Sequence, residues 1–138
     1  MRIVALDVGD KKIGVAVTDP TGLISQPYSS LRRNSNIIAK LANIIEELQA
    51  ELIVIGLPYL ADGSPGEQVK KTKDFARELK RNLRIPVVFF DERLTTREAQ
   101  SVIRECVEKR SSRKQKVDSI AASLILKGYL ESKKGAET

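Results

Sequence analysis

The sequence predicts an α/β fold in which a mixed sheet is covered by helices on both faces. Three observations predict it. The chain opens with three strand patterns separated by tight turns, with no room for a helix between them. Two later apolar runs, Leu52–Ile55 and Pro86–Phe90, are continuous rather than alternating, as in strands buried on both faces. Helical periodicities alternate with those runs. Hairpins join antiparallel strands and helical crossovers join parallel ones, so the sheet is mixed. No linker or internal repeat interrupts the order, and 138 residues fit one domain spanning 1–138.

Each element follows from local chemistry. Arg2-Ile3-Val4-Ala5-Leu6 is a short apolar run ending in Asp7, and Gly9-Asp10-Lys11-Lys12 is a tight turn. Ile13 to Asp19 is the second strand, and Asp19-Pro20-Thr21-Gly22 turns the chain again. Leu23 to Leu31 is a weaker strand that Pro27 assigns to an edge. Asn34 or Ser35 caps a helix to about Gln49, with Ile37, Ile38, Leu41, Ile44, Ile45 and Leu48 at helical spacing. Gly56-Leu57-Pro58 ends the first buried strand, and a polar segment leads to a helix over Glu67–Asn82 with Val69, Phe75, Ala76 and Leu79 inward. Asp91-Glu92-Arg93 ends the last strand. Thr95 and Glu98 form a capping box for a third helix to about Lys109. A final helix runs from about Val117 to Ser132, followed by a frayed tail.

Composition narrows the chemistry. The chain has no His, which removes Ser-His-Asp and Cys-His nucleophile systems and His-based zinc sites. A single Cys, Cys106, removes thiolate zinc sites, reads as packing within a helix and fits a reducing compartment. No run is long enough to span a membrane, and no charged-then-apolar leader pattern is present. What remains is mostly carboxylate chemistry, either acid–base or through Mg²⁺ or Mn²⁺; a lysine nucleophile stays open but carries no signal in the sequence. The formal charge is +6, and residues 61–138 carry the whole excess. The densest run, Lys109 to Lys116, includes Arg113, Lys114 and Lys116. A basic half beside acidic sites suits a polyanionic partner, nucleic acid above all; the plainer reading is a solvated surface.

Three carboxylate sites fall at element ends. Asp7 ends the first strand, Asp91 and Glu92 end the last, and Asp118 starts the final helix. Asp118 shares a helical face with Ala121, Ala122 and Ile125, so it should point toward the sheet. Each has a plain alternative: a turn residue, a polar loop, a first-turn acid favoured by the helix dipole. Together they could hold one or two Mg²⁺ ions at a phosphodiester.

The motifs Leu6-Asp7-Val8-Gly9…Ile13-Gly14-Val15-Ala16, Val54-Ile55-Gly56-Leu57-Pro58…Asp62-Gly63-Ser64, Asp91-Glu92-Arg93-Leu94-Thr95-Thr96 and Lys116-Val117-Asp118-Ser119-Ile120-Ala121-Ala122 resemble, in order, those of the YqgF family. That family lies in the RNase H-like superfamily, near the RuvC-type Holliday junction resolvases. The resemblance covers nearly the whole chain. It implies a five-stranded mixed sheet of order 3-2-1-4-5 and a divalent-metal nuclease of the bacterial cytoplasm. The implied role is maturation of the pre-16S rRNA 5′ end, with Holliday junction resolution as the alternative. Its motif acids fall on Asp7, Glu92 and Asp118, with Asp91 beside them, and its basic positions on Arg93 and Lys116. Phosphate contacts are then expected from Arg93, Arg113, Lys114 and Lys116, and from Lys11 and Lys12 in the first turn.

One departure stands out. The strand beside the first usually supplies the second carboxylate in this superfamily, but Leu52–Ile55 leads into Gly56-Leu57-Pro58, which has no acid. The Asp91-Glu92 pair lies a strand further, so roughly 10 Å of backbone separates it from Asp7. The longer Glu92 is favoured over Asp91, with Asp62 in reserve. A non-catalytic module that binds structured RNA is the rival reading. A nucleotide-binding fold of the sugar-kinase type would need a second lobe that this length does not hold. No dimer patch is evident, leaving a monomer or a weak dimer.

Overall fold

The computed structural model describes residues 1–94 and 116–137, and on the last helix the side chains of 118–133. The element order is β1 (Arg2–Val8), β2 (Lys12–Thr18), β3 (Ser25–Arg32), α1 (Ile37–Leu48), β4 (Ala50–Leu57), α2 (Glu67–Asn82), β5 (Val87–Asp91), a short 3-10 turn (Glu92–Leu94) and α3 (Lys116–Glu137). The expected helix from Thr95 to Lys109, its capping box, Cys106 and the basic run through Arg113 and Lys114 lie outside the described residues.

The five strands form one sheet in the order β3-β2-β1-β4-β5, as the resemblance implies. β1 and β2 pair antiparallel, as do β2 and β3, while β4 runs parallel to both β1 and β5. β3 is an edge strand with Pro27 in it, and its register with β2 shifts between Val15 and Ala16. It starts at Ser25 rather than Leu23 because Asp19 holds the preceding turn. The Asp19 carboxylate accepts the backbone N–H groups of Leu23 and Ile24 at 3.0 and 2.8 Å, and the Thr21 hydroxyl. Those bonds, the Thr21 one foremost, lower its pKa to about 2.

Strand alternation divides the core into two layers. Val4, Leu6 and Val8 of β1, with Ile13, Val15 and Val17 of β2 and Ile53 and Ile55 of β4, pack against Ile37, Leu41 and Ile45 of α1 and Phe75 and Leu79 of α2. Ile3 and Ala5, with Ala16, Val54 and Phe90, pack against Ala122, Ile125 and Leu126 of α3. The helix faces anticipated from periodicity are the buried ones. Small residues on the α3 side let that helix lie close to the sheet, and the Ser25 hydroxyl donates to the Ser123 carbonyl at 2.8 Å. α3 runs past Ser132 to Glu137. The tail read as frayed holds no proline and is mostly good helix formers, so the helix propagates at little cost.

Candidate active site

The period of two along β1 settles where Asp7 points. Ile3 and Ala5 face α3, and Asp7 follows them on that side at the carboxyl end of the strand. It is half-buried. Two contacts pin this end of β1. Gln68 Nε2 donates to the Val8 carbonyl at 3.2 Å, and Arg33 Nη1 to the Gly9 carbonyl at 3.0 Å. The Arg33 backbone N–H also donates to the Lys11 carbonyl at 2.8 Å. Its guanidinium lies 4.9 Å from the centre of the Phe75 ring. Neither Gln68 nor Arg33 was legible as a site residue; an Arg32-Arg33 pair closing an edge strand was the only hint.

Gly14 of β2 is paired with Asp7 on one side and with Ser30 of β3 on the other. A Cβ at Gly14 would fall 1.9 Å from the Asp118 carbonyl oxygen and 3.0 Å from its Cβ. The first turn of α3 therefore rests directly on the strand beside Asp7. Asp118 is buried, 7% exposed, and accepts a hydrogen bond from the Ser30 hydroxyl at 3.2 Å. So Asp7 and Asp118 flank one glycine on one face, as the helical pattern predicted.

Glu92 comes from the far side. Val88 and Phe90 of β5 face α3, and the 3-10 turn carries Glu92 back over the sheet. Its carboxyl carbon lies 3.2 Å from where a Cβ of Gly56 would be. β1 and β4 pair through Leu6 and Ile55, so the next residues, Asp7 and Gly56, stand level. The Glu92 carboxyl group thus sits above β4, about one strand spacing of ~4.8 Å from β1 rather than two. The gap anticipated from backbone spacing is narrowed by a side chain lying across a glycine.

Asp91 does not join this group. It alternates to the opposite face of β5, level with Leu57. Arg93 grips it: Nε donates to both carboxylate oxygens at 3.1 Å, Nη2 at 2.7 Å and the backbone N–H at 2.9 Å. That guanidinium holds the Asp91 carboxyl below its ordinary pKa. Asp91 is thus turned away from the face that carries Asp7 and Asp118, with its carboxylate engaged by Arg93. Arg93 also lies 5.4 Å from the Tyr59 ring centre and against Gly63, tying the 58–66 loop to the end of β5. Asp62 serves that loop: its Oδ1 accepts the Ser64 N–H at 2.9 Å and hydroxyl at 2.6 Å, which lowers its pKa.

Lys11 and Lys12 stand at the β1–β2 turn next to Asp7, which is closed by the Gly9 N–H on the Lys12 carbonyl at 2.9 Å. Lys116 opens α3, two residues before Asp118. A separate cleft of 730 Å³ lies between α1 and α2, lined by Asp10, Arg33, Lys71, Phe75 and neighbours; none of the three carboxylates borders it. The Asp7, Glu92 and Asp118 oxygens are the hard donors that Mg²⁺ or Mn²⁺ prefers, so the donor chemistry fits such an ion. Among the described residues, however, no three acidic, His or Cys groups form a ready-made metal cage.

Comparison with known proteins follows this geometry. The sequence model of the RuvX family, described as Holliday junction resolvase, matches residues 1–132. A protein of Lachnospira eligens named "Putative pre-16S rRNA nuclease" is 44% identical over 138 residues, 96% of this chain and 99% of its own. One of Caldanaerobacter subterraneus subsp. tengcongensis, with the same name, is 42% identical over 99% of this chain and 100% of its own. Among solved structures, RuvC of Thermus thermophilus in complex with a Holliday junction substrate superposes with a TM-score of 0.59 at 12% identity, covering 96% of each chain. The fowlpox virus Holliday junction resolvase gives 0.54 at 20% identity, covering 96% of this chain and 99% of its own. At those identities the likeness speaks for the fold alone, and it is the RNase H-like fold. With the family's motifs in order and relatives matching end to end, the chain belongs to the RuvX family, the YqgF family that its sequence resembles.

Proposed function

We propose that this protein is a divalent-metal-dependent nuclease that hydrolyses a phosphodiester bond in the 5′ leader of pre-16S rRNA in the bacterial cytoplasm. One observation carries the reading: Asp7, Asp118 and Glu92 arrive from a strand, a helix and a 3-10 turn on the same sheet face. The name of the relatives, which speaks of pre-16S rRNA, supports that choice of substrate. Asp7, Glu92 and Asp118 would hold the ion. A bound Mg²⁺ or Mn²⁺ supplies positive charge to the phosphate and lowers the pKa of water at the site.

The chain's own residues do the rest. The Arg33 and Gln68 contacts fix the end of β1, so Asp7 is set before any substrate arrives. Lys11 and Lys12 neutralise phosphates on the β2 side of the site. Lys116 does so at the start of α3, joined by Arg113 and Lys114, which precede it in the sequence, and the charged tip of Arg93 does so near β5. The excess positive charge draws the polyanion in.

The substrate is tested by offering the protein a pre-16S 5′-leader RNA and a four-way DNA junction side by side, each with Mg²⁺, with Mn²⁺ and with EDTA. Metal-dependent cutting of the RNA with the junction left intact is expected. Symmetrical cutting of the junction alone would replace this reading with a resolvase. Binding of RNA without cleavage under any metal would replace it with a non-catalytic module.

A further inference from the structure

We propose that Gly56 is a positioning residue for Glu92, its missing side chain being the gap through which the Glu92 carboxyl group reaches the face that carries Asp7. The inference rests on the reading of Glu92 as part of the site. Gly56 lies within β4, paired with Phe90 of β5 and level with Asp7 of β1. Its φ lies outside the left-handed range that favours glycine, so the backbone makes no demand for it. A glycine inside a strand weakens that strand, and its usual reason is a close approach from outside. Here the approach has two parts. A Cβ would meet Ile125 Cδ1 at 2.6 Å and Cγ1 at 3.1 Å, and the Glu92 carboxyl carbon at 3.2 Å.

The contrast with Gly14 defines the role. At Gly14 the obstacle is the Asp118 backbone, which holds α3 on the sheet and cannot yield. At Gly56 the obstacles are the ends of two side chains, which can. A methyl group at position 56 therefore displaces Glu92 while the fold stays intact. The strand that lacks an acid contributes by lacking any side chain, and the carboxylate comes from the next strand instead.

The test separates the two contacts. Gly56→Ala is made together with Ile125→Val, which deletes Cδ1 and relieves the 2.6 Å clash. Thermal unfolding, Mn²⁺ titration by water-proton relaxation and cleavage of the 5′-leader RNA are measured. Ile125→Val alone should cleave at the wild-type rate. The double variant should unfold within about 5 °C of Ile125→Val. It should bind Mn²⁺ and cleave at least ~10-fold more weakly, the loss typical when a ligand's support is removed. In a Glu92→Gln, Ile125→Val background, Gly56→Ala should add less than about twofold, since both Gly56→Ala and Glu92→Gln act on one group.

A double variant that binds Mn²⁺ and cleaves like Ile125→Val overturns the inference, as does a full further loss in the Glu92→Gln, Ile125→Val background. A double variant that does not fold also overturns it, making Gly56 a packing residue. A wild-type rate in Glu92→Gln itself would instead overturn the site reading, and this inference with it.

Discussion

Asp7 and Gly14 are neighbours across a ladder, yet their substitutions should behave oppositely. Asp7 is half-buried at a strand end on a face that also receives Asp118 and Glu92. Three acids on one face repel, so Asp7→Asn should leave the melting temperature unchanged or raise it, while cleavage falls by roughly a hundredfold or more. Calorimetry beside a cleavage assay checks both halves. Gly14→Ala should do the reverse in kind. Its methyl group would lie 1.9 Å from a backbone oxygen of α3, so chemical denaturation should show a loss of about 3 kcal/mol, the upper end for overpacking. The acids were legible because carboxylates at element ends stand out in a His-free chain. The two glycines against which Asp118 and Glu92 lie were not, because each is explained only by an atom from a distant segment.

At the scale of elements, the end of β5 is fastened to the 58–66 loop through Arg93. Asp91 is held below its ordinary pKa by that guanidinium first of all. The sign follows: the pair stabilises the fold above the unfolded carboxylate value, ~3.9, and its contribution disappears as pH falls through the lowered folded value. Arg93→Ala should therefore melt lower than the parent near pH 7, with the difference shrinking as the pH falls from the unfolded carboxylate value through the lowered folded one. A gap that stays constant across that range would contradict the pairing. The strands and helix faces were legible in the sequence because Ile37, Leu41, Ile45, Val69, Phe75 and Leu79 repeat with the period their burial demands. The partners of Arg93 were not. A pattern of Asp91-Glu92-Arg93 shows three charged residues in a row, and only the strand pleat and the turn after it send Asp91 to one face and Glu92 to the other.

For the whole molecule, charge and topology act together. All of the net charge lies in the second half of the chain, but the strand directions bring Lys11 and Lys12 of the neutral half to the same end of the sheet as Glu92 and the start of α3. Replacing both lysines by Ala should weaken RNA binding uniformly across sequences and flatten its salt dependence by about 0.7 per lysine on a log–log plot. An unchanged slope in a filter-binding series would remove the first turn from the interface. The fold was readable at this scale from element order and from the family's motifs, whereas the placement of the Glu92 carboxyl group above β4 needed the register.

We propose that Asp7, Glu92 and Asp118 act as one cation-holding site on one face of the sheet. Single-turnover cleavage of the 5′-leader RNA by Asp7→Asn, in Mg²⁺ and in Mn²⁺, tests it most directly, with the circular dichroism spectrum confirming the fold. A native spectrum with cleavage down by roughly a hundredfold or more in both metals is expected. Wild-type cleavage by that variant would contradict it.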